Sequence, residues 1–200
     1  IGPGGADDML GFSYFGDDFG TFVGDSCATA ADFSCNSYLH PEQEIFQARV
    51  TPFHNSEVRG AQLADEIESY LATVGARHVS IVGHSQGGLD ARKAAHTLYA
   101  RQGYQVVRVL LSVSAPHRGS PVAWSLLELG SVKSMINYLI TVFGNIVTAP
   151  GNDGLAALQQ WIYEDADPAD GIETGARRFN EHYPNRAAVV RRYASVVTAQ

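Results

Sequence analysis

The chain has 200 residues, 45% of them hydrophobic and 18% charged, which suits one domain with a buried core. A formal net charge of −7 at pH 7 argues against nucleic acid and against electrostatic docking on anionic membranes. No uninterrupted apolar run is long enough to span a bilayer.

Residues 1–44 alternate glycines (Gly2, Gly4, Gly5, Gly11, Gly16, Gly20, Gly24) with the rings of Phe12, Tyr14, Phe15, Phe19 and Phe22. They read as a loop that packs through aromatics rather than as a regular element. Cys27 and Cys35 lie close together without a metal-ligand pattern, so a small-loop disulfide is expected, and with it an oxidising compartment and secretion. The other reading is two unpaired cysteines in a cytosolic protein. The chain begins at Ile1 rather than Met and carries no secretory signal, leaving a processed or missing N-terminus open.

Ile45–Thr51 is predicted as a strand. Asn55 or Ser56 can cap a helix running to about Thr73, with Val58, Ala61, Ala64, Ile67, Leu71 and Val74 on one face and Gly75 as its stop. Val79–Val82 reads as a buried strand, and a helix follows from Gly88, with Leu89, Arg92, Ala95 and His96 at helical spacing. Gly103 ends that helix and Val106–Val113 forms a further strand. Strand, helix, strand, helix, strand predicts a mostly parallel sheet with helices on both faces.

Between the Val79 strand and its helix lies Gly83-His84-Ser85-Gln86-Gly87, a G-x-S-x-G sequence. A chain that turns this sharply holds Ser85 in a strained backbone, and bulky residues at 83 and 87 would clash. The turn would present the Ser85 hydroxyl at a helix N-terminus, where backbone N–H groups and the helix dipole stabilise negative charge. Ser85 is therefore the expected nucleophile, the alternative being a purely structural turn. The segment Ser114-Ala115-Pro116-His117-Arg118-Gly119-Ser120 leaves the next strand on the same side of the sheet, where such folds bind ligands.

Residues 121–165 have a different character. Val132, Met135, Ile136, Leu139, Ile140, Phe143, Ile146 and Val147 form a wide apolar face, flanked by Gly130, Gly144, Pro150 and Gly151, and a second helix is expected over Gly154–Tyr163. This stretch reads as a cap inserted over the site, or else as ordinary core. A helix around Gly175–Tyr183 and a strand over Ala188–Val197 complete the predicted elements.

Four segments carry a family resemblance: Gly11-Phe12-Ser13-Tyr14-Phe15; Asn55-Ser56-Glu57-Val58-Arg59-Gly60 with Leu63; Val82-Gly83-His84-Ser85-Gln86-Gly87; and Ala115-Pro116-His117-Arg118-Gly119-Ser120. In this order the sequence resembles the bacterial triacylglycerol lipases of the Proteus and Pseudomonas type, which have the α/β-hydrolase fold. The region between Phe15 and Ile45 departs from that pattern, as if an insertion held both cysteines.

The resemblance implies a serine esterase, with Ser85 attacking an ester carbonyl and a histidine, oriented by an acid, as its base. It implies an oxyanion hole built from the backbone N–H groups of Gln86 and, where Ile1-Gly2-Pro3-Gly4-Gly5 matches the first oxyanion loop, of Ile1. It also implies a central opening strand before Ile1 and a triad Asp and His beyond Gln200, so a longer protein is expected. Family members bind a structural calcium whose ligands would likewise lie beyond Gln200; within the chain no metal or other cofactor is expected.

The histidines and acids at hand serve less well. Asp153 reads as a helix-start residue, His182 as a surface histidine and His117 as structural. His84 is expected to pack beside Ser85, and His40, His54, His78 and His96 sit in loops or on helix surfaces. The expected partner is an acylglycerol or other ester, met in one case at an oil–water interface; a foldase is not readable. The alternatives are a short-chain esterase or polyesterase and, from another class, a non-catalytic binding protein that keeps the turn without a triad.

Overall fold

The computed structural model describes residues 8–9, 12–13, 46, 48–121, 123, 150–161 and 175–197. Two antiparallel dipeptide strands come first, β1 (Asp8–Met9) and β2 (Phe12–Ser13), with Met9 opposite Phe12. A regular pair thus occurs where only a loop was expected. The helix α1 (Ser56–Val74), strand β3 (Val79–His84), helix α2 (Gly87–Gln102) and strand β4 (Val107–Val113) follow. The last described elements are helices α3 (Gly154–Trp161) and α4 (Ala176–His182) and strand β5 (Val190–Val196). The expected disulfide pair Cys27 and Cys35, and Ile1, lie outside the described residues.

Three strands form a parallel sheet in the order β3-β4-β5. His84 faces Val113, and Val113 faces Val196, so the carboxyl ends of all three strands are level. Whatever leaves those ends shares one edge of the sheet, and Ser85 is there.

The helix boundaries follow local chemistry. Asn55 caps α1, its side chain accepting from the Val58 N–H at 3.1 Å, and Gly75 ends the helix at φ 68°. Gly103 ends α2 in the same left-handed way, at φ 71°. The two helices pack on each other, and α2 lies on β3 and β4. Leu63, Ala64 and Ile67 meet Ala91, Ala94, Ala95 and Leu98, with Ile81, Val107, Leu110 and Val190 of the sheet beneath. Ser80 and Val82, on the opposite face of β3, are exposed.

Two expectations are corrected. The buried stripe of α1 runs through Ser56, Arg59, Gly60, Leu63, Ala64, Ile67, Tyr70 and Leu71, leaving Val58 and Ala61 only half-buried. The rotation arises because Arg59 is buried with an acidic partner and Gly60 lets α2 approach: a Cβ there would lie 2.3 Å from Lys93 Cγ and 2.9 Å from the Asp90 carbonyl oxygen.

The second correction concerns residues 48–51, the later part of the strand predicted over Ile45–Thr51. Ala48 and Val50 are buried in the core, yet residues 48–51 belong to no strand. Their backbone donors turn to α1 instead: Arg49 N–H donates to Glu66 Oε2 at 2.8 Å and Thr51 N–H to Gln62 Oε1 at 2.9 Å. Among the described residues, β3 is consequently an edge of the sheet. No described helix is long and apolar enough to cross a membrane.

Candidate active site

The turn between β3 and α2 is as tight as the sequence suggests. Ser85 sits at φ 52°, a region that costs a residue with a side chain about 1–3 kcal/mol. Its N–H is held by the Val113 carbonyl at 2.9 Å, and its own carbonyl accepts from Gly88 N–H at 3.1 Å. A Cβ on Gly83 would stand 2.4 Å from the Gly87 carbonyl oxygen, so 83 must be glycine for backbone to pass backbone. A Cβ on Gly88 would meet the Ala115 Cβ at 2.6 Å and the Ser112 Cβ at 2.9 Å. The expected need for a small residue at 83 is met, the Gly87 backbone being the obstacle, and a second such position is 88, where Ser112 and Ala115 stand.

Ser85 is half-buried at the edge of the sheet, directly before the N-terminus of α2. Gln86 is fully buried. Its carbonyl accepts from Leu89 N–H at 2.9 Å and Asp90 N–H at 3.1 Å, while its own N–H has no partner among the described residues. A serine beside an uncommitted N–H and the positive end of a helix dipole is an arrangement suited to anionic tetrahedral intermediates. Ile1, the other expected donor, is not among the described residues.

Around this turn the scaffold is polar and buried. Arg59 Nη2 and Nε contact Asp90 Oδ2 at 2.8 and 2.9 Å with both side chains fully buried, and Arg59 Nη1 reaches the Thr51 and Pro52 carbonyls at 2.6 Å each. One side chain therefore ties α1, α2 and the chain entering α1 together. Sequence reading treated Arg59 only as part of a resembling segment, since it lies off the apolar face expected for α1.

Sequence reading also missed Ser114. It follows β4 as Ser85 follows β3, at φ 48°, with its N–H on the Val196 carbonyl at 2.9 Å. Two neighbouring strands thus end in a left-handed serine.

No ring nitrogen of a described histidine is hydrogen-bonded to the Ser85 hydroxyl, and most of these rings have other partners. His117 Nε2 lies 2.8 Å from Ser112 Oγ, which superficially makes a serine–histidine pair. Arg92 Nη1, however, lies 3.2 Å from His117 Nδ1. A guanidinium only donates, so Nδ1 accepts, Nε2 carries the hydrogen, and Ser112 is the acceptor. A base needs the opposite arrangement. Burial, and then the Arg92 charge, lower the His117 pKa to about 4. Arg92 also donates to Asn180 Oδ1 at 2.8 Å and to the Tyr183 carbonyl, while Asn180 Nδ2 returns to the His117 carbonyl at 2.7 Å. The structural role expected for His117 is what the geometry shows.

His54 Nδ1 accepts from Asn55 N–H at 2.9 Å, His78 bridges the Gln105 carbonyl and Arg108, and His96 Nε2 donates to the Pro184 carbonyl at 2.9 Å. His84 is half-buried in β3, and burial lowers its pKa. His182 is exposed at the end of α4. Asp153 begins α3, its Oδ1 accepting from Ala156 N–H at 2.9 Å, as expected of a helix-start residue. Among the described residues, no group of three His, Cys, Asp or Glu side chains is placed to hold a metal ion.

A serine at φ 52° between a parallel strand and a helix, with the strand pinned to its neighbour, has the strand–turn–helix geometry of the α/β-hydrolase elbow. The chain belongs to the family described as "Putative serine esterase (DUF676)", whose model matches residues 44–145. It is 30% identical over 152 residues to a triacylglycerol lipase of Vibrio cholerae, covering 70% of this chain and 44% of that protein. It is 34% identical over 147 residues to a triacylglycerol lipase of Pseudomonas fragi, covering 71% and 48%. The chain spans less than half the length of these curated relatives. The crystal structure of Bacillus licheniformis lipase BlEst2 in mature form superposes with a TM-score of 0.51 at 21% identity, over 75% of this chain and 50% of that one, and so shares the fold.

Proposed function

We propose that the protein hydrolyses carboxylic esters of the acylglycerol type through an acyl-enzyme on Ser85. The Ser85 oxygen adds to the ester carbonyl as its proton passes to a base, and the resulting oxyanion is held by the Gln86 N–H. Collapse expels the alcohol and leaves the acyl group on Ser85; water then adds, and the carboxylic acid departs. The observation that carries this reading is the Ser85 turn, where a strained nucleophile and an uncommitted N–H meet at a helix N-terminus. The relatives named triacylglycerol lipase favour an acylglycerol substrate. The base and its orienting acid are proposed on residues outside this chain, in the order serine, acid, histidine.

Residues 121–165 are proposed as a cap. In support, Ser120 N–H donates to the Trp161 carbonyl at 2.6 Å, so the chain returns at 161 to where it left at 120. Asp153 N–H also donates to the Phe53 carbonyl at 2.6 Å, which puts the start of α3 against the loop preceding α1. An apolar cap there would exclude water from the acyl-enzyme. Secretion is proposed with the Cys27–Cys35 pair.

The test is covalent trapping of the full-length, folded protein with an organophosphonate. Labelling at Ser85, lost in Ser85→Ala, supports the hydrolase. A folded protein that takes no label is the binding protein of the alternative reading. Activity that rises when an oil–water interface forms separates a lipase from a short-chain esterase or polyesterase.

A further inference from the structure

Gln86 carries two amides, and the reaction proposed above uses only the one in the backbone. The other, the side-chain carboxamide, is completely buried. Its Nε2 donates to the His54 carbonyl at 2.6 Å, while its Oε1 has no hydrogen-bond partner among the described residues. A buried acceptor left unmade is a cost to folding, and an apolar side chain of similar volume would avoid it. For stability alone, then, this carboxamide is a poor choice.

Its one hydrogen bond ends on an unusually well-held carbonyl. His54 lies in the short segment that enters α1, and that segment is fixed from several sides. Asn55 caps α1 on Val58 N–H, Phe53 N–H donates to Asn152 Oδ1 at 2.9 Å, and Arg59 Nη1 grips the Thr51 and Pro52 carbonyls. From α3, Gln160, itself 1% exposed, accepts the Ser56 N–H on its Oε1 at 2.5 Å. The peptide joining Ser85 to Gln86 is held at one end only, its Ser85 carbonyl accepting from Gly88 N–H at 3.1 Å while its Gln86 N–H has no partner among the described residues. It follows a residue in the left-handed region and precedes the first residue of α2, with no side chain capping that helix. A modest rotation of this peptide would swing the Gln86 N–H away from the reacting oxygen.

We infer that the Gln86 carboxamide is a positioning group. It moors residue 86 to the His54 carbonyl and so aims the Gln86 backbone N–H at the oxyanion, while Gln160 steadies the mooring from α3. The inference rests on the esterase reading. It adds a mechanical route from α3 to the oxyanion hole, running Gln160, Ser56, His54, Gln86, so that a displacement of α3 is felt at the reacting oxygen.

The experiment pairs a soluble ester with its thionoester on the full-length protein. Sulfur is a weak hydrogen-bond acceptor, so the preference for the oxygen ester measures how well the oxyanion is held. Gln86→Met removes the mooring and the orphaned acceptor at similar volume. Its melting temperature should be unchanged or raised, its kcat on the oxygen ester should fall about tenfold at constant KM, and its oxygen-over-sulfur preference should shrink by a similar factor. Gln160→Met, which removes the acceptor of the Ser56 N–H, should shift the preference the same way by a smaller factor, and it carries the test alone if Gln86→Met does not fold. A kcat loss matched by a loss of phosphonate-titratable sites, with the preference unchanged, overturns the inference. A wild-type protein that neither turns over esters nor takes the phosphonate overturns the esterase reading itself.

Discussion

Arg92 Nη1 stands 3.2 Å from His117 Nδ1, and this contact decides the polarity of the His117 ring. Where a triad would put a carboxylate on Nδ1 to hold a hydrogen there, a guanidinium forces Nδ1 to accept. The ring can then only donate to Ser112, and a second proton on it would face Arg92. The pair is a clamp that fastens the turn after β4 to α2, and through Asn180 and the Tyr183 carbonyl to the end of α4.

Acid should undo that clamp. The folded pKa of His117 is lowered from 6.5 to about 4, so between these values the unfolded chain binds the proton more readily. Stability contributed by the neutral ring is complete above about pH 6.5 and is lost as pH falls towards about 4. His84 and His96, whose pKa values are also lowered by burial, act in the same sense. Replacing His117→Gln should therefore flatten, without abolishing, the fall in urea-unfolding free energy from pH 7 to pH 4. An unaltered slope would mean that His117 does not titrate as the clamp requires.

The buried Arg59–Asp90 pair should be costly to break from one side. Asp90→Ala leaves a buried guanidinium without its carboxylate, and a loss of about 3–5 kcal/mol is expected. The double replacement Arg59→Met with Asp90→Leu should recover part of this, because both charges leave together. Chemical denaturation of the three proteins checks the order, and a double variant less stable than Asp90→Ala contradicts it.

Glycines 83 and 75 should behave differently. Gly83→Ala drives a Cβ into the Gly87 carbonyl and should disturb the turn, slowing phosphonate labelling of Ser85 by at least about tenfold. Gly75→Ala meets open space and suffers only from its φ of 68°, so about 1 kcal/mol of stability is lost and labelling is kept. Labelling rates and melting temperatures of both variants decide the matter; equal labelling would show that the Gly83 approach is not needed to place the serine.

Asp153 and His182 occur in an order that a triad could use, yet the structure gives them other work. Asp153→Ala should lower stability by about 1 kcal/mol through loss of the α3 cap, and His182→Ala should do almost nothing. Neither should change the rate at which the full-length protein labels at Ser85. A fall of several orders of magnitude in either variant would return that residue to the catalytic group.

Much of this molecule is written in short-range pattern. The cap at Asn55, the stops at Gly75 and Gly103, the strand Val107–Val113 and the helix-start role of Asp153 depend on neighbours a few residues away, and so does the G-x-S-x-G turn that marks Ser85. The residues before Ile45 and the cap segment lie largely outside the described structure, so the disulfide at Cys27 and Cys35, the Ile1 donor and the cap itself stand as proposals.

What local pattern did not determine depends on partners far along the chain. Residues 48–51 were expected to continue a strand from Ile45, but a strand exists only when a neighbouring backbone accepts its hydrogen bonds, and side chains of α1 take those of Arg49 and Thr51 instead. Arg59 lay off the apolar face expected from the sequence; that it is buried follows from Asp90, 31 positions later. His117 looked like one more histidine until the fold brought Arg92 to its Nδ1, 25 positions away. The turn that holds Ser85, the proposed nucleophile, is specified by five consecutive residues, because its left-handed backbone and its close Gly83–Gly87 approach are local. The contact made by the buried Gln86 side chain was decided by tertiary structure, because its carboxamide ends on the His54 carbonyl, 32 positions back along the chain.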